Sequence, residues 1–190
     1  MVEEVKTIFN AIVTGKGDKM DIQILDMAGA RPEHSTVIVN FVAAVRQQLF
    51  NSTCYVFSDN VQYKWNTTEG EEKTVIPDAS INCRTKARKG NVFLDIPRFV
   101  MEVLSPSTEN YDRGEKKELY RQQEIDEYWI VDWQRKKVEI YNLDYDENGE
   151  PKYYLWETIT EQNKEELKIV HFQNLKITFD QLFAEVDMEY

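Results

Sequence analysis

The spacing of apolar residues along the chain predicts an α/β protein in which a helix precedes a central sheet. Residues 20–27 alternate between polar and apolar side chains, which is typical of a strand. Pro32 suits the first turn of a helix, where its missing N–H group is harmless. Residues 33–49 then carry apolar side chains at helical spacing, namely Val37, Phe41, Val45 and Leu49. We therefore expect a strand followed by a buried helix.

The remainder of the chain consists of shorter apolar runs separated by polar segments. These runs predict strands at 53–57, 61–65, near 75–83, 98–104, 127–132, 137–142 and 152–158, with one helix over 112–124. The pair Asn148-Gly149 favours a type I′ hairpin turn, and Thr178 is expected to cap a last helix that ends at Val186. No boundary divides the pattern, so we expect a single domain over 1–190, with its core at about 20–186.

Composition is that of a folded protein. The chain has 190 residues, of which 42% are hydrophobic and 30% charged, and no apolar run is long enough to span a membrane. The N-terminal residues lack the apolar core of a signal peptide. Cys54 and Cys83 are expected to be core residues rather than a disulfide or a zinc site. A cytoplasmic location is the prediction that follows.

The charge distribution restricts the possible partners. A formal net charge of −11 argues against a protein whose main task is to grip DNA, because such binding depends on phosphate neutralisation by lysine and arginine. Residues 79–98 are an exception, with five basic residues against one acid and a local charge of +4. This stretch is either a solvated loop or a phosphate-binding segment, for which the candidates are Arg84, Lys86 and Arg88.

Two acids occur in strand-like surroundings. Asp78 follows Pro77, and Glu102 lies inside the apolar run 99–104. An unpaired carboxylate in an apolar interior is costly, so these acids are candidates for a site. Mg²⁺ prefers oxygen ligands and keeps several waters, so Asp78, Glu102 and the backbone carbonyl of Val103 would suffice to hold it. The alternatives are a Pro-Asp turn for Asp78 and an arginine pair for Glu102.

A lysine follows on the predicted helix. Lys116 shares a helix face with Asp112 and Tyr120. It could orient or deprotonate an attacking water, or stabilise charge in a transition state. The alternative is an exposed ion pair with Asp112 that contributes only about 0.3–0.5 kcal/mol. His34, at the start of the first helix, is either a structural histidine or a residue that supports the site or contacts phosphate.

These residues carry a resemblance to a known family. Pro77-Asp78, the run 102–108, the segment 112–116, Tyr120 and the run 127–132 resemble the Uma-type restriction endonucleases, a bacterial branch of the PD-(D/E)XK nuclease superfamily. Weaker similarity covers 27–29 with His34, Cys83 and the C-terminal helix, so the resemblance extends from about residue 20 onward.

The resemblance implies a restriction-endonuclease-like fold, a mixed central sheet flanked by helices, here with additional antiparallel strands. It also implies that Asp78 and Glu102 are metal ligands. The lysine that the superfamily places two residues after the second acid would be at 104, where this chain has Leu104. In the resembled family the lysine lies on the following helix, which corresponds to Lys116.

The leading hypothesis is a Mg²⁺- or Mn²⁺-dependent endonuclease that hydrolyses phosphodiester bonds in DNA, with Asp78, Glu102 and Lys116 as its catalytic residues. We expect a homodimer that does not interact with membranes. The alternative is a non-catalytic dimeric scaffold, in which aromatic residues between Tyr128 and Trp156 form a subunit interface. Another phosphodiester is a further possible substrate. A nuclease should place its three residues around one open cleft, whereas a scaffold could leave them apart or covered.

Overall fold

The computed structural model describes residues 31–187. In chain order its strands are β1 (Tyr55–Ser58), β2 (Gln62–Asn66), β3 (Glu72–Val75), β4 (Ala79–Asn82), β5 (Arg88–Lys89), β6 (Val92–Phe93), β7 (Phe99–Val103), β8 (Glu127–Asp132), β9 (Lys137–Tyr145) and β10 (Pro151–Ile159). Its helices are α1 (Pro32–Gln48), α2 (Glu109–Tyr111), a π-helical turn (Asp112–Lys116), α3 (Lys117–Gln122), a 3₁₀ turn (Lys164–Glu166) and α4 (Phe179–Leu182).

The strands form two sheets. The larger has the order β1-β4-β7-β8-β9-β10, and the smaller has the order β3-β2-β6-β5. Within the larger sheet β7 and β8 are parallel, and the other neighbours are antiparallel. The parallel pair requires a crossover, and α2, the π-helical turn and α3 supply it as one continuous helical segment, residues 109–122. A mixed sheet flanked by helices, with further antiparallel strands, confirms the predicted fold class.

Both faces of the larger sheet are covered. On one face α1 packs against the sheet, with the Phe41 ring stacked on Phe99 at 5.1 Å between centroids. On the other face Tyr120 of α3 lies against Tyr128, and Trp65 of the smaller sheet lies against Tyr120. Every residue of β7 and β8 is buried as a result. This explains their continuous apolar sequence, and it places the Glu102 carboxylate in the interior.

Most predicted elements are present with shifted bounds. Helix α1 and strand β8 agree closely with the pattern, and Thr178 caps α4 through a capping box with Gln181. The predicted strand near 75–83 is wrong, because the chain bends at Pro77-Asp78 and divides it into the end of β3 and the whole of β4. The helix predicted over 112–124 begins at residue 109 and contains the π-helical turn. The last helix ends at Leu182 rather than Val186.

The type I′ turn predicted at Asn148-Gly149 is not present. The β9–β10 connection is a loop over 146–150, and of the Asn148-Gly149 pair only Gly149 has a positive φ, so the turn is not type I′.

The predicted strand at 20–27 lies outside the described residues. The described residues 31–187 lie in one compact unit, and the prediction of a single domain over 1–190 stays a prediction. Among residues 31–187, no helix combines the length and apolar character needed to cross a bilayer.

The cysteine prediction is wrong, because Cys54 and Cys83 form a disulfide. The antiparallel register of β1 and β4 pairs Tyr55 with Asn82, so the two cysteines lie directly opposite each other one position further on. Sequence alone does not give this register, and without it a separation of 29 residues carries no pairing information. The cytoplasmic prediction rested partly on free thiols, and the disulfide removes that support.

Reduction of this disulfide is expected to lower the free energy of unfolding by about 2–4 kcal/mol, because it opens a closed loop in the unfolded chain. Urea unfolding with and without dithiothreitol measures the difference. The Cys54→Ser/Cys83→Ser variant is the control, since its stability should not respond to the reductant. Two titratable thiols in unreduced, denatured wild-type protein would contradict the pairing.

Candidate functional site

The two predicted acids face each other across neighbouring strands. The register of β4 and β7 pairs Ala79 with Met101, so Asp78, one residue earlier, lies opposite Glu102, one residue later. The Asp78 carboxylate accepts a hydrogen bond from the backbone N–H of Val103 at 2.7 Å. The geometric expectation that paired strands bring these acids together is therefore met.

The helical segment 109–122 adds two side chains to this pair. Lys116 donates a hydrogen bond to Glu102 Oε2 at 2.8 Å, and its Nζ lies 2.9 Å from Asp112 Oδ1. Tyr120 donates its hydroxyl hydrogen to Glu102 Oε1 at 2.5 Å. The π-helical turn that carries Asp112 and Lys116 is held to the sheet by Tyr128, whose hydroxyl donates to the Asp112 carbonyl at 3.0 Å. Such turns occur often at functional sites.

Helix α1 contributes one more member. His34 Nε2 lies 3.3 Å from Asp78 Oδ2. The structure thus brings together six of the predicted residues in one cluster, which we call the carboxylate cluster: His34, Asp78, Glu102, Asp112, Lys116 and Tyr120. The alternative that Glu102 pairs with an arginine is wrong, because its ionic partner is Lys116. The alternative that Lys116 forms only an exposed pair is also wrong, since its side chain is 13% exposed.

The protonation states follow from burial and from these pairings. Burial alone would lower the pKa of Lys116, but the attraction of Glu102 and Asp112 outweighs it, and the pKa is raised above its usual value. Lys116 is therefore an ammonium at neutral pH. Burial raises the pKa of Glu102, and Lys116 opposes that rise. Burial raises the pKa of Asp112 as well. A lysine that holds its proton this firmly is a poor base and a good hydrogen-bond donor.

Burial and neighbouring charges also shift the pKa values of His34 and Tyr120. Burial lowers the pKa of His34, but its contact with Asp78 outweighs burial, and the net pKa is raised. Burial and the neighbouring Glu102 carboxylate raise the pKa of Tyr120 well above its usual value. Tyr120 therefore keeps its proton and remains the donor in its hydrogen bond to Glu102.

The carboxylate cluster is covered rather than open. Glu102 has no exposed side-chain surface, and the exposed fractions of Asp78 and His34 are 17% and 11%. Two cavities in the described part of the chain are lined by other residues. The three predicted catalytic residues therefore lie close together, as expected. They do not surround an open cleft, which was the other half of the expectation.

The donor set of the cluster fits a hard divalent cation. Asp78 and Glu102 supply carboxylate oxygens, and the Lys116 ammonium already lies between Glu102 and Asp112 as an internal counter-charge. Across residues 31–187, no group of three or more histidine, cysteine, aspartate or glutamate side chains is arranged to hold a metal ion. Mg²⁺ needs only one or two protein carboxylates because it keeps several of its waters, so this smaller set is compatible with it.

The predicted phosphate contacts are not part of the cluster. Arg84, Lys86 and Arg88 are exposed. Arg84 follows the end of β4 while Asp78 precedes its start, so the two residues lie beyond opposite ends of this strand. Their role stays a prediction, and they would contact phosphates away from the carboxylate cluster.

Two ionic arrangements were not predicted. Glu127, at the start of β8, is buried and accepts hydrogen bonds from the Trp129 indole N–H and from the backbone N–H groups of Val170 and His171. It thereby ties the C-terminal segment to the sheet. Arg113 forms a two-pronged pair with Glu139 of β9. An acid within an apolar run was the signal available for Glu127, and nothing in the sequence indicated the partner of Arg113.

Comparisons with known proteins show which family and which fold the chain resembles. A family model named Uma2 and described as "Putative restriction endonuclease" matches residues 21–180. The uncharacterized protein slr1290 of Synechocystis sp. is 30% identical over 132 residues, which cover 69% of this chain and 68% of that protein. A crystal structure from Anabaena variabilis, described as a putative nuclease belonging to DUF820, superposes with a TM-score of 0.64 at 16% identity and covers 83% of each chain. This structural similarity shows the fold.

Proposed function

Because the chain belongs to the Uma2 family of restriction-endonuclease-like proteins, we propose that it is a divalent-metal-dependent endonuclease that hydrolyses phosphodiester bonds in DNA. The observation that supports this proposal is the carboxylate cluster itself. Asp78 and Glu102 come from adjacent strands, and a lysine from the crossover helix reaches the same point. Packing alone does not require two acids and a lysine to meet in an apolar interior, because burying each charge there costs free energy.

In this proposal Asp78, Glu102 and the carbonyl of Val103 would hold Mg²⁺ or Mn²⁺. The ion, when bound, would polarise a phosphoryl oxygen and lower the pKa of its water. Tyr120 fixes the orientation of the Glu102 carboxylate, and His34 does the same for Asp78. Lys116 keeps its proton, so its role would be to stabilise negative charge on the phosphoryl group rather than to deprotonate water.

The proposal includes a homodimer. A cytoplasmic location stays a prediction that the Cys54–Cys83 disulfide does not support. Strand β10 lies at the edge of the larger sheet and carries three exposed apolar side chains, Tyr154, Leu155 and Trp156, which favour contact with a second copy. The same surface, together with the covered carboxylate cluster, favours the second candidate function, a non-catalytic dimeric scaffold. The two functions differ in whether DNA is cleaved.

A cleavage assay on supercoiled plasmid DNA tests the proposal directly. Wild-type protein should nick or linearise the plasmid in Mn²⁺ or Mg²⁺ and should leave it intact in EDTA. Folded protein that leaves plasmid and linear duplexes intact in both metals would favour the scaffold instead. Sedimentation velocity on the same sample measures the proposed dimer separately, so a failure of one claim does not obscure the other.

A further inference from the structure

A second charged site lies on the β10 side of the helical segment 109–122, away from Glu102 on β7. It is a cavity of about 230 Å³ lined by four basic side chains, Arg113, Lys117, Arg121 and Lys152, together with Gly114, Tyr153 and the acidic Glu118. We call it the basic pocket. Neighbouring lysines separate the two sites, because Lys116 points to β7 while Lys117 contacts the ring of Tyr141 on β9.

The basic pocket contains cations that the protein does not neutralise. Arg113 is engaged by Glu139 and Glu109, and Arg121 by Glu118. By contrast, no carboxylate oxygen among residues 31–187 lies within 4.0 Å of the Lys117 or Lys152 ammonium. These two lysines are the charges that remain available for a ligand.

Lys117 is an unusual residue to leave without an acid. Its Nζ lies 3.4 Å from the centre of the Tyr141 ring, and its side chain is half-buried. Burial lowers the pKa of Lys117, and the attraction of the Glu139 carboxylate offsets only part of the loss of hydration. The ring provides part of that compensation through a cation–π contact. An anion in the basic pocket would provide the rest.

Gly114 keeps the wall of the pocket open. It lies within the π-helical turn, and a Cβ atom built on it would meet nothing within 4 Å. Glycine is unfavourable inside a helix, and no crowding at this position requires it. Gly114 lines the cavity, and the open space at the position of its missing Cβ leaves room there.

We propose that the basic pocket binds a phosphate group through Lys117 and Lys152. The cavity is smaller than pockets for drug-sized ligands, which measure about 300–1,000 Å³, so its size suits a small anionic group. Charge-assisted hydrogen bonds from lysine and arginine are the contacts that phosphate recognition uses. The surrounding chain has a net charge of −11, so a local excess of positive charge is needed to hold any phosphate at all.

The phosphate could belong to a nucleic-acid backbone or to a free phosphate compound. The proposal does not depend on cleavage at the carboxylate cluster, because binding can be measured in metal-free protein that cannot turn over. Titration calorimetry with inorganic phosphate at low ionic strength tests it. Saturable binding is expected for the wild type, and Lys117→Gln/Lys152→Gln should weaken it about tenfold. The control Lys168→Gln/Lys176→Gln makes the same change in charge at two exposed lysines outside the pocket.

A third variant separates pocket shape from charge. Gly114→Gln adds a neutral side chain to the open wall and should also weaken phosphate binding about tenfold. Anisotropy with a labelled duplex identifies the source of the phosphate: backbone binding is expected to weaken in both pocket variants, and a free phosphate compound is indicated if only inorganic phosphate binding falls. Folded wild-type protein that does not bind inorganic phosphate, or pocket variants that bind it as well as the control, would overturn the proposal.

Discussion

Replacing Glu102 by glutamine should lower metal-dependent DNA cleavage at least about a hundredfold, since loss of a residue that merely supports a metal ligand already costs 10–100-fold. Glutamine keeps an oxygen that can accept the Tyr120 hydroxyl, so the shape of the interior is preserved. It removes the negative charge that faces Lys116 and that would hold the metal. The variant should therefore fold and fail to cleave.

The measurement combines plasmid cleavage with calorimetric titration of Mn²⁺ and circular dichroism. Glu165→Gln is the matched control, because Glu165 is an exposed acid of the 3₁₀ turn and has no part in the carboxylate cluster. Undiminished cleavage by Glu102→Gln would rule out Glu102 as an essential ligand. Loss of cleavage with unchanged Mn²⁺ binding would assign Glu102 to positioning Lys116 and Tyr120 rather than to the metal.

The sequence predicted the positions of the buried strands well, because their apolar runs depend on burial and not on distant partners. Strand β8 agrees residue for residue with its predicted run at 127–132. The proximity of Asp78 and Glu102 was also predicted, although only as something that paired strands could produce. Their register in the sheet makes them direct neighbours. The bend at Pro77-Asp78 agrees with the Pro-Asp turn that was one alternative for Asp78, and it was absent from the strand predicted near 75–83.

The sequence did not predict the features that depend on strand register or on packing between layers. The Cys54–Cys83 disulfide exists because β1 and β4 pair in one register, and a shift by one residue would separate the sulfurs. The burial of Glu102 requires the smaller sheet and its Trp65 to cover the crossover helix. The basic pocket requires Lys152 of β10 to meet residues of the helical segment 109–122. None of these contacts is local in sequence.

The Lys116 ammonium compensates part of the negative charge of the carboxylate cluster. Two buried acids, Glu102 and Asp112, share this one ammonium, and Asp78 adds to the negative charge around it. A divalent cation bound by Asp78 and Glu102 would carry the same sign of charge into the same place. Lys116 and the metal are therefore expected to repel each other and to compete for the Glu102 carboxylate.

Lys116→Met is accordingly expected to lower the free energy of unfolding by about 3–5 kcal/mol at neutral pH, because removing one partner leaves buried charges uncompensated. It should also abolish most cleavage while binding Mn²⁺ more tightly than the wild type does. Urea unfolding with and without Mn²⁺ measures the loss of stability and the change in Mn²⁺ affinity. A ligand that binds only the folded protein stabilises it by RT ln(1 + [L]/Kd), so the added stability reports the affinity. Mn²⁺ should restore more stability to the variant than it adds to the wild type.

Lys117→Met is the matched control for this experiment. It removes a lysine from the next helical position, where the contact is the Tyr141 ring rather than a carboxylate, so the loss of stability should be smaller and Mn²⁺ should not restore it. Equal stability of Lys116→Met and wild type would mean that the ammonium does not hold the buried acids. Equal stabilisation of both proteins by Mn²⁺ would mean that Lys116 does not occupy the place of the cation, and the metal would then have to bind elsewhere in the cluster.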